Sequence, residues 1–240
     1  MQQLKNVFSS EFLERYKSGE REFSNINLQY AEISGVDLSN VVIKNSKIFV
    51  VTFSDCNITN VQFINCEMIY SGFHRCHLEN STFKKCNMDL MFFEDNFFKR
   101  TNVSESTIVW SAIIGSSMGE LDSSSSVFIE VITDTAQITQ QYIENGLARI
   151  GSFISSLDID VLLKSKLKKE FQDSASHYNF DVKYIPDAKT SYESSGSYNK
   201  AAEHGYGANI QNMMHSIINA YNAAHPYQDK KSYQNDSKYK

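Results

Sequence analysis

No apolar run in these 240 residues approaches the roughly 20 residues needed to span a membrane, and Met1 to Phe12 carries polar residues where a secretion signal needs an apolar core. Basic charge is scarce as well. The 23 Lys and Arg stand against 28 Asp and Glu for a net charge of −5, so the electrostatic footprint of nucleic-acid binding is missing. No Gly-rich phosphate loop, nucleophile elbow or HExxH-type metal helix occurs anywhere. These absences predict a soluble, cytoplasmic protein that is not an enzyme, holds no metal or cofactor, and has neither nucleic acid nor membrane as a partner.

What the chain does have is an apolar residue at every fifth position from Phe23 to Met118, twenty times without a failure. The series includes Leu28, Ile33, Leu38, Ile48, Phe53, Phe63, Phe73, Phe83, Phe93, Ile108 and Ile113. A period of five matches neither the 3.6 of a helix nor the 2.0 of a strand, so it is the step of a solenoid. Two positions before each centre runs a second, mostly small inward series: Ala31, Val36, Val51, Cys56, Cys66, Ser71, Cys76, Ser81, Cys86 and Ser106 among others. Met91 and Asn96 break the small series next to Phe92 and Phe97, which predicts a local irregularity there.

The pattern resembles the pentapeptide-repeat family, whose unit is a small residue, a polar one, a Leu or Phe centre and two variable positions. Ala31-Glu32-Ile33-Ser34-Gly35 and Val36-Asp37-Leu38-Ser39-Asn40 are close matches, and the leader Phe12-Leu13-Glu14-Arg15-Tyr16 with Gly19-Glu20-Arg21-Glu22-Phe23 looks like the opening of many bacterial members. The resemblance covers about residues 10 to 140. It implies an all-β solenoid, a right-handed quadrilateral β-helix in which four repeats make one coil and residues twenty apart stack. At about 4.8 Å per coil, five coils make a rod of roughly 24 Å.

Residues 1–20 read as an N-terminal capping helix, with Phe8, Phe12, Leu13 and Tyr16 on one face, Ser10 as N-cap, Glu11 at the positive end of the dipole and Gly19 ending the turn. Residues 21–140 are the β-helix of five to six coils. The last coil is poor, because the frame fails at Ser123 and returns weakly at Phe128 and Ile138. Thr139 to Ile143 reads as a short capping helix stopped near Gly146. Residues 141–185 then hold capping and amphipathic helices, with Ile159, Leu162, Leu163, Leu167 and Phe171 on one face and Asp158 as a cap. Residues 186–240 read as a linker, a helix within 208–223 through Ile210, Met213, Met214, Ile217, Ile218 and Tyr221, and a disordered tail.

Cys56, Cys66, Cys76 and Cys86 lie ten apart, which is half a coil, so they stack in two pairs on opposite sides rather than converge on a metal; in the small interior slot they act as small apolar groups. His74 and His77, near Arg75 and Glu79, project outward as a solvated surface, with no nucleophile or paired carboxylate beside them.

Sorting the outward positions by face gives the most informative surface feature. Tyr30, Val50, Tyr70, Leu90 and Trp110 form one column, flanked by Phe49, Ile69 and Val109, whereas the same positions elsewhere are polar, such as Asn25, Asn45 and Asn65 or Asn40, Asn60 and Asn80. A continuous apolar stripe with aromatics is a contact surface. Its occupant is open at this point: the chain's own C-terminal helices, a second copy in a homodimer, or another protein. The corresponding function is a non-enzymatic, rigid protein–protein interaction scaffold. The resemblance also implies an alternative, since some members of the family imitate B-form DNA and protect topoisomerases (gyrase) from quinolone-type inhibitors. Between Arg21 and Met118, however, eight Lys and Arg face ten Asp and Glu, with no uniformly acidic side.

Overall fold

The computed structural model describes residues 4–118, 120–133, 140–157, 159, 161, 162, 164–169, 214–219 and 221–223, with the backbone alone for 140–147. Its strands pair in parallel at a constant offset of one coil: Phe23 lies beside Ile43, Ile43 beside Phe63, Phe63 beside Phe83, and Phe83 beside Val103. Twenty residues therefore make one turn, and the chain is a quadrilateral parallel β-helix. The face built on Phe23 has six stacked strands, which counts six coils. The next two faces, built on Leu28 and Ile33, merge into one sheet because the strands Ile26–Ser34 and Lys47–Ser54 run around the corner between them. The fourth face pairs more sparsely, through His77–Glu79 with Phe97–Lys99 and isolated bridges such as Asp37 to Asn57.

The interior is a ladder of the repeat centres. Phe53, Phe73 and Phe93 stack at 5.0 and 5.3 Å nearly coplanar, Phe63 and Phe83 do so at 4.9 Å, and the two columns meet edge-on at 5.9 and 5.8 Å. All five rings and Cys56, Cys66, Cys76 and Cys86 are buried. The small slot is also a hydrogen-bonding slot. Ser71 Oγ donates to Ile69 O at 3.0 Å and accepts from Val51 N–H in the coil before it at 3.1 Å; Cys76 Sγ donates to Phe53 O and His74 O, both at 3.4 Å. The neighbouring thiol first, and burial second, push the Cys66 and Cys76 thiols up, which keeps them protonated and unreactive.

The irregularity expected at Met91 and Asn96 is not there. Both are buried in register, and the Asn96 amide does what the serines do: Nδ2 donates to Phe73 O at 2.9 Å and Oδ1 accepts from Cys76 N–H at 2.9 Å. The first twenty residues also differ from a plain helix. Lys5–Val7 is a strand that continues the second face by pairing with Ile26–Leu28, and helix α1 spans Ser9–Lys17. Phe8, in extended backbone, is the N-cap without a side-chain bond, so Ser10 has no capping role; the strand ahead already fixes the chain's entry. At the other end Gly19 at φ +100° donates to Tyr16 O and Glu20 donates to Arg15 O, a Schellman stop that only a left-handed residue permits. Phe12 then sits 4.5 Å from Phe23 and closes the end of the rod.

The sixth coil is partial, with strands Leu121–Asp122 and Val127–Ile129. Leu121 and Phe128 border a cavity of about 20 Å³ together with Phe83, Met88, Phe93, Phe98, Val103, Ile108 and Ile113, and Phe128 is 38% exposed. Helix α2 spans Gln140–Ser156 and runs straight through Gly146, so it is no short cap; the cost of one helical glycine, about 1 kcal/mol, is outweighed by the apolar face that follows it. Beyond it, 164–169, 214–219 and 221–223 are helical. Leu167 is buried and Ile159 half-buried, but Leu162 is 81% exposed, so it is not on the packed face. Ile138, Asp158, Leu163, Phe171, Ile210, Met213, and residues 186–207 and 224–240 lie outside the described residues.

Candidate functional site

From Asn25 to Gly115 every corner of the rod, two residues after a centre, turns through the left-handed region with φ between +48° and +65°. Asn, Asp and Gly tolerate this conformation, whereas other residues pay about 1–2 kcal/mol for it. Asn25, Asn40, Asn45, Asn60, Asn65 and Asn80 meet the demand, and Asn60 and Asn65 additionally donate their amides to Asn40 and Asn45 in the coil before, at 3.1 and 2.8 Å. The corner between the second and third faces contains no Asn or Gly among its six left-handed residues, the last of which is Glu130 (φ +52°). Tyr30 (φ +48°), Val50 (+55°), Tyr70 (+48°), Leu90 (+56°) and Trp110 (+49°) occupy it, so an apolar stripe is held at the backbone's expense.

The structure covers this stripe with the chain's own C-terminal helices. Tyr30, Val50 and Tyr70 are buried in a second apolar cluster with Phe153, Ile154, Leu157, Leu167, Met214, Ile217, Ile218 and Tyr221; Phe49, Ile69, Leu90, Ile150 and Ile159 pack around it. None of these residues belongs to the cluster inside the rod. In this state Tyr30, Val50 and Tyr70 make no contact with solvent that another protein could use, while Val109 and Trp110 at the end of the stripe stay half-exposed.

Two parts of the C-terminal region divide the surface. Helix α2 holds its middle and far end: Phe153 packs on Tyr70 at 4.5 Å and on Phe49 at 5.6 Å, Arg149 donates to both carboxylate oxygens of Asp89 at 2.9 and 3.0 Å, and the same guanidinium lies 5.5 Å from the Trp110 ring. Residues 214–219 and 221 hold the near end. Tyr221 stacks flat on Tyr30 at 3.5 Å, Thr52 Oγ1 donates to Met214 Sδ at 3.8 Å, and His215 Nε2 lies 3.0 Å from Glu32 Oε1. That bond holds the Glu32 carboxyl below its ordinary range against its partial burial, and raises the His215 imidazole against the same opposition.

Arg149, Asp89, Glu32, His215, Phe153 and Ile154 were not singled out by the sequence. Ile150, Phe153, Ile154 and Leu157 do carry helical spacing, which a reading that ends the helix at Gly146 passes over. The ion pairs have no local signature, because their members come from distant parts of the chain.

His74 and His77 do not form a surface pair. His77 is exposed, its ring 6.0 Å from Phe97, whereas His74 is buried, with Nδ1 2.6 Å from Glu94 Oε2. Outward parity misled here because the third face is itself covered: Thr52, Ser54, Phe92, Glu94, Ala112 and Ile114 are all buried. Arg75 turns to Asp55, with bonds of 2.7 and 2.8 Å, and Glu79 pairs with Lys99 and Arg100.

The five-residue step, the twenty-residue parallel register and the left-handed corners from Asn25 to Gly115 together define a pentapeptide-repeat β-helix. Solved structures of pentapeptide-repeat proteins are accordingly similar. Rfr23 from the cyanobacterium Cyanothece 51142 is 14% identical at a TM-score of 0.41, covering 51% of this chain and 97% of that one. HetL from Nostoc sp. strain PCC 7120, involved in heterocyst differentiation regulation, is 13% identical at 0.25, with 51% and 57% covered. QnrB1, a plasmid-mediated fluoroquinolone resistance protein, is 13% identical at 0.22, with 52% and 87% covered. No family model and no curated protein matches the chain.

Proposed function

We propose that the protein is a non-enzymatic scaffold that acts by binding another protein. The observation that carries this reading is the apolar corner: Tyr30, Val50, Tyr70, Leu90 and Trp110, all unsuited to the left-handed backbone, are retained on one edge of the rod, and the first three build a second core separate from the interior, with Leu90 packed against it. A solenoid needs no such edge for its own stability, since its coils are closed by their ladders and by the repeat centres. A rigid rod with an apolar edge is suited to presenting contacts to a partner. A DNA-mimicking role of the fluoroquinolone-resistance kind is less well supported, because the acids on the rod are matched by cations: Asp55 by Arg75, Glu79 by Lys99 and Arg100, Glu105 by Lys84 and Lys85, Asp89 by Arg149. A long-range field that competes for a DNA site would be weak.

The test places a photo-crosslinking residue at position 90, on the rim of the apolar corner, or at position 57 on the opposite face, in cells that make the protein. A discrete protein adduct at 90 and not at 57, lost when Tyr70→Ser and Trp110→Ser are combined, is the expected result. Adducts to nucleic acid, or no dependence on the corner substitutions, would contradict the reading. A second copy of the chain as the adduct would identify the scaffold as a homodimer.

A further inference from the structure

We infer that the near end of the corner, around Tyr30, Glu32 and Thr52, is a helix-recognition groove, that residues 214–221 are its resident ligand, and that its partner is an amphipathic helix of the same pattern. The inference rests on the scaffold reading and specifies what the scaffold binds. Met214, Ile217, Ile218 and Tyr221 stand at i, i+3, i+4 and i+7 and are all buried, which is how one helix anchors in the groove of another protein. The groove adds selectivity: Glu32 faces the residue directly after the first anchor, and Thr52 meets the first anchor itself. A matching partner therefore carries Met or Leu, then a cationic residue, then an apolar pair at i+3 and i+4, then an aromatic at i+7 to stack on Tyr30 as Tyr221 does.

Three observations make the resident exchangeable rather than permanent. In sequence, residues 170–213, 44 in number, lie between it and Lys169, the described residue that precedes it, so it is not covalently continuous with α2. Helix α2 keeps its own anchors, the Arg149–Asp89 pair and Phe153 against Tyr70. The interior of the rod contains no residue from 214–221. A resident on the same chain competes intramolecularly, so a free helix binds well only once the resident is removed or outmatched.

The experiment uses the full chain, a variant carrying Ile217→Asp and Ile218→Asp, and a fluorescent peptide of residues 210–224. The peptide should bind the variant at least about 10-fold more tightly than the wild type. Glu32→Gln in the variant background should weaken it several-fold, and a peptide with the two Asp substitutions should not bind. Failure to bind a variant whose rod melts as the wild type does, or equal binding to both, would overturn the inference. Hydrogen exchange on the unmodified chain supplies a second readout: amides of 214–219 should open independently of the rod, and exchange only with global unfolding would make the segment a fixed structural piece and overturn the inference too. Protein crosslinks at position 90 without peptide binding would remove the groove and leave the scaffold; peptide binding without crosslinks would do the reverse.

Discussion

At the level of single residues, the interior slot decides what can stand two positions before each centre. Size alone does not define it, since Ser71, Cys76, Asn96 and Thr101 share the slot by donating to a carbonyl of the coil before. Cys56→Ser and Cys76→Ser should therefore each change unfolding free energy by less than about 1 kcal/mol in a urea titration, because the replacement makes the same bonds. Asn96→Ala should cost about 1–3 kcal/mol in the same assay, since it removes the amide bond to Phe73 O and takes the acceptor from the buried Cys76 N–H. The corner imposes a different rule. Asn65→Val places a β-branched residue at φ +54° and removes the amide bond to Asn45, which should lower stability by about 1–3 kcal/mol. Gly72 obeys a third: a Cβ there would lie 2.9 Å from Phe92 O in the next coil, so alanine is excluded by contact alone.

At the level of elements, α2 and residues 214–219 hold on through apolar area and an ion pair, Arg149 to Asp89 and His215 to Glu32. The pair that seats residues 214–221 is titratable, and Glu32 is the charged group that faces His215 among the described residues. The imidazole is raised from about 6.5, so its contribution to docking is complete below that value and is lost as pH rises through the raised one. The carboxyl is lowered from about 4.5, so its contribution is present above that value and is lost as pH falls through the lowered one. Docking should thus be firmest between about pH 4.5 and 6.5, and the 214–219 amides should open more readily at pH 8 after correction for intrinsic exchange. Glu32→Gln should remove that difference; an unchanged pH dependence in this variant would show that the pair does not govern docking. The elements also show where a sequence is legible. The coils are, because Phe53, Phe63 and Phe73 recur at a fixed step and each inward position repeats the same chemistry. Helix α2 was misjudged at Gly146 because one residue's propensity is small beside the burial of Phe153 and Ile154. The partners of Arg149 and His215 were invisible, since a pair 60 residues apart or more leaves no periodic trace.

At the level of the whole molecule, two cores lie on either side of one sheet corner. The inner one is made by local repetition and the outer one by contacts between the rod and the far end of the chain. The aromatic column was readable from Tyr30, Val50, Tyr70, Leu90 and Trp110, yet its occupant was not, because amphipathic helices, a second copy and a foreign protein leave the same apolar stripe in the sequence. Trp110, the only tryptophan, reports directly on the cover that the chain's own helices provide. Acrylamide quenching of Trp110 should be compared in the full chain, in a chain ending at Lys169 and in a chain ending at Thr133, over a range of concentrations. Quenching should be similar in the first two, where Arg149 still lies against the indole, and markedly greater in the third, at every concentration. Equal quenching in all three, or shielding that appears only as concentration rises, would contradict that cover.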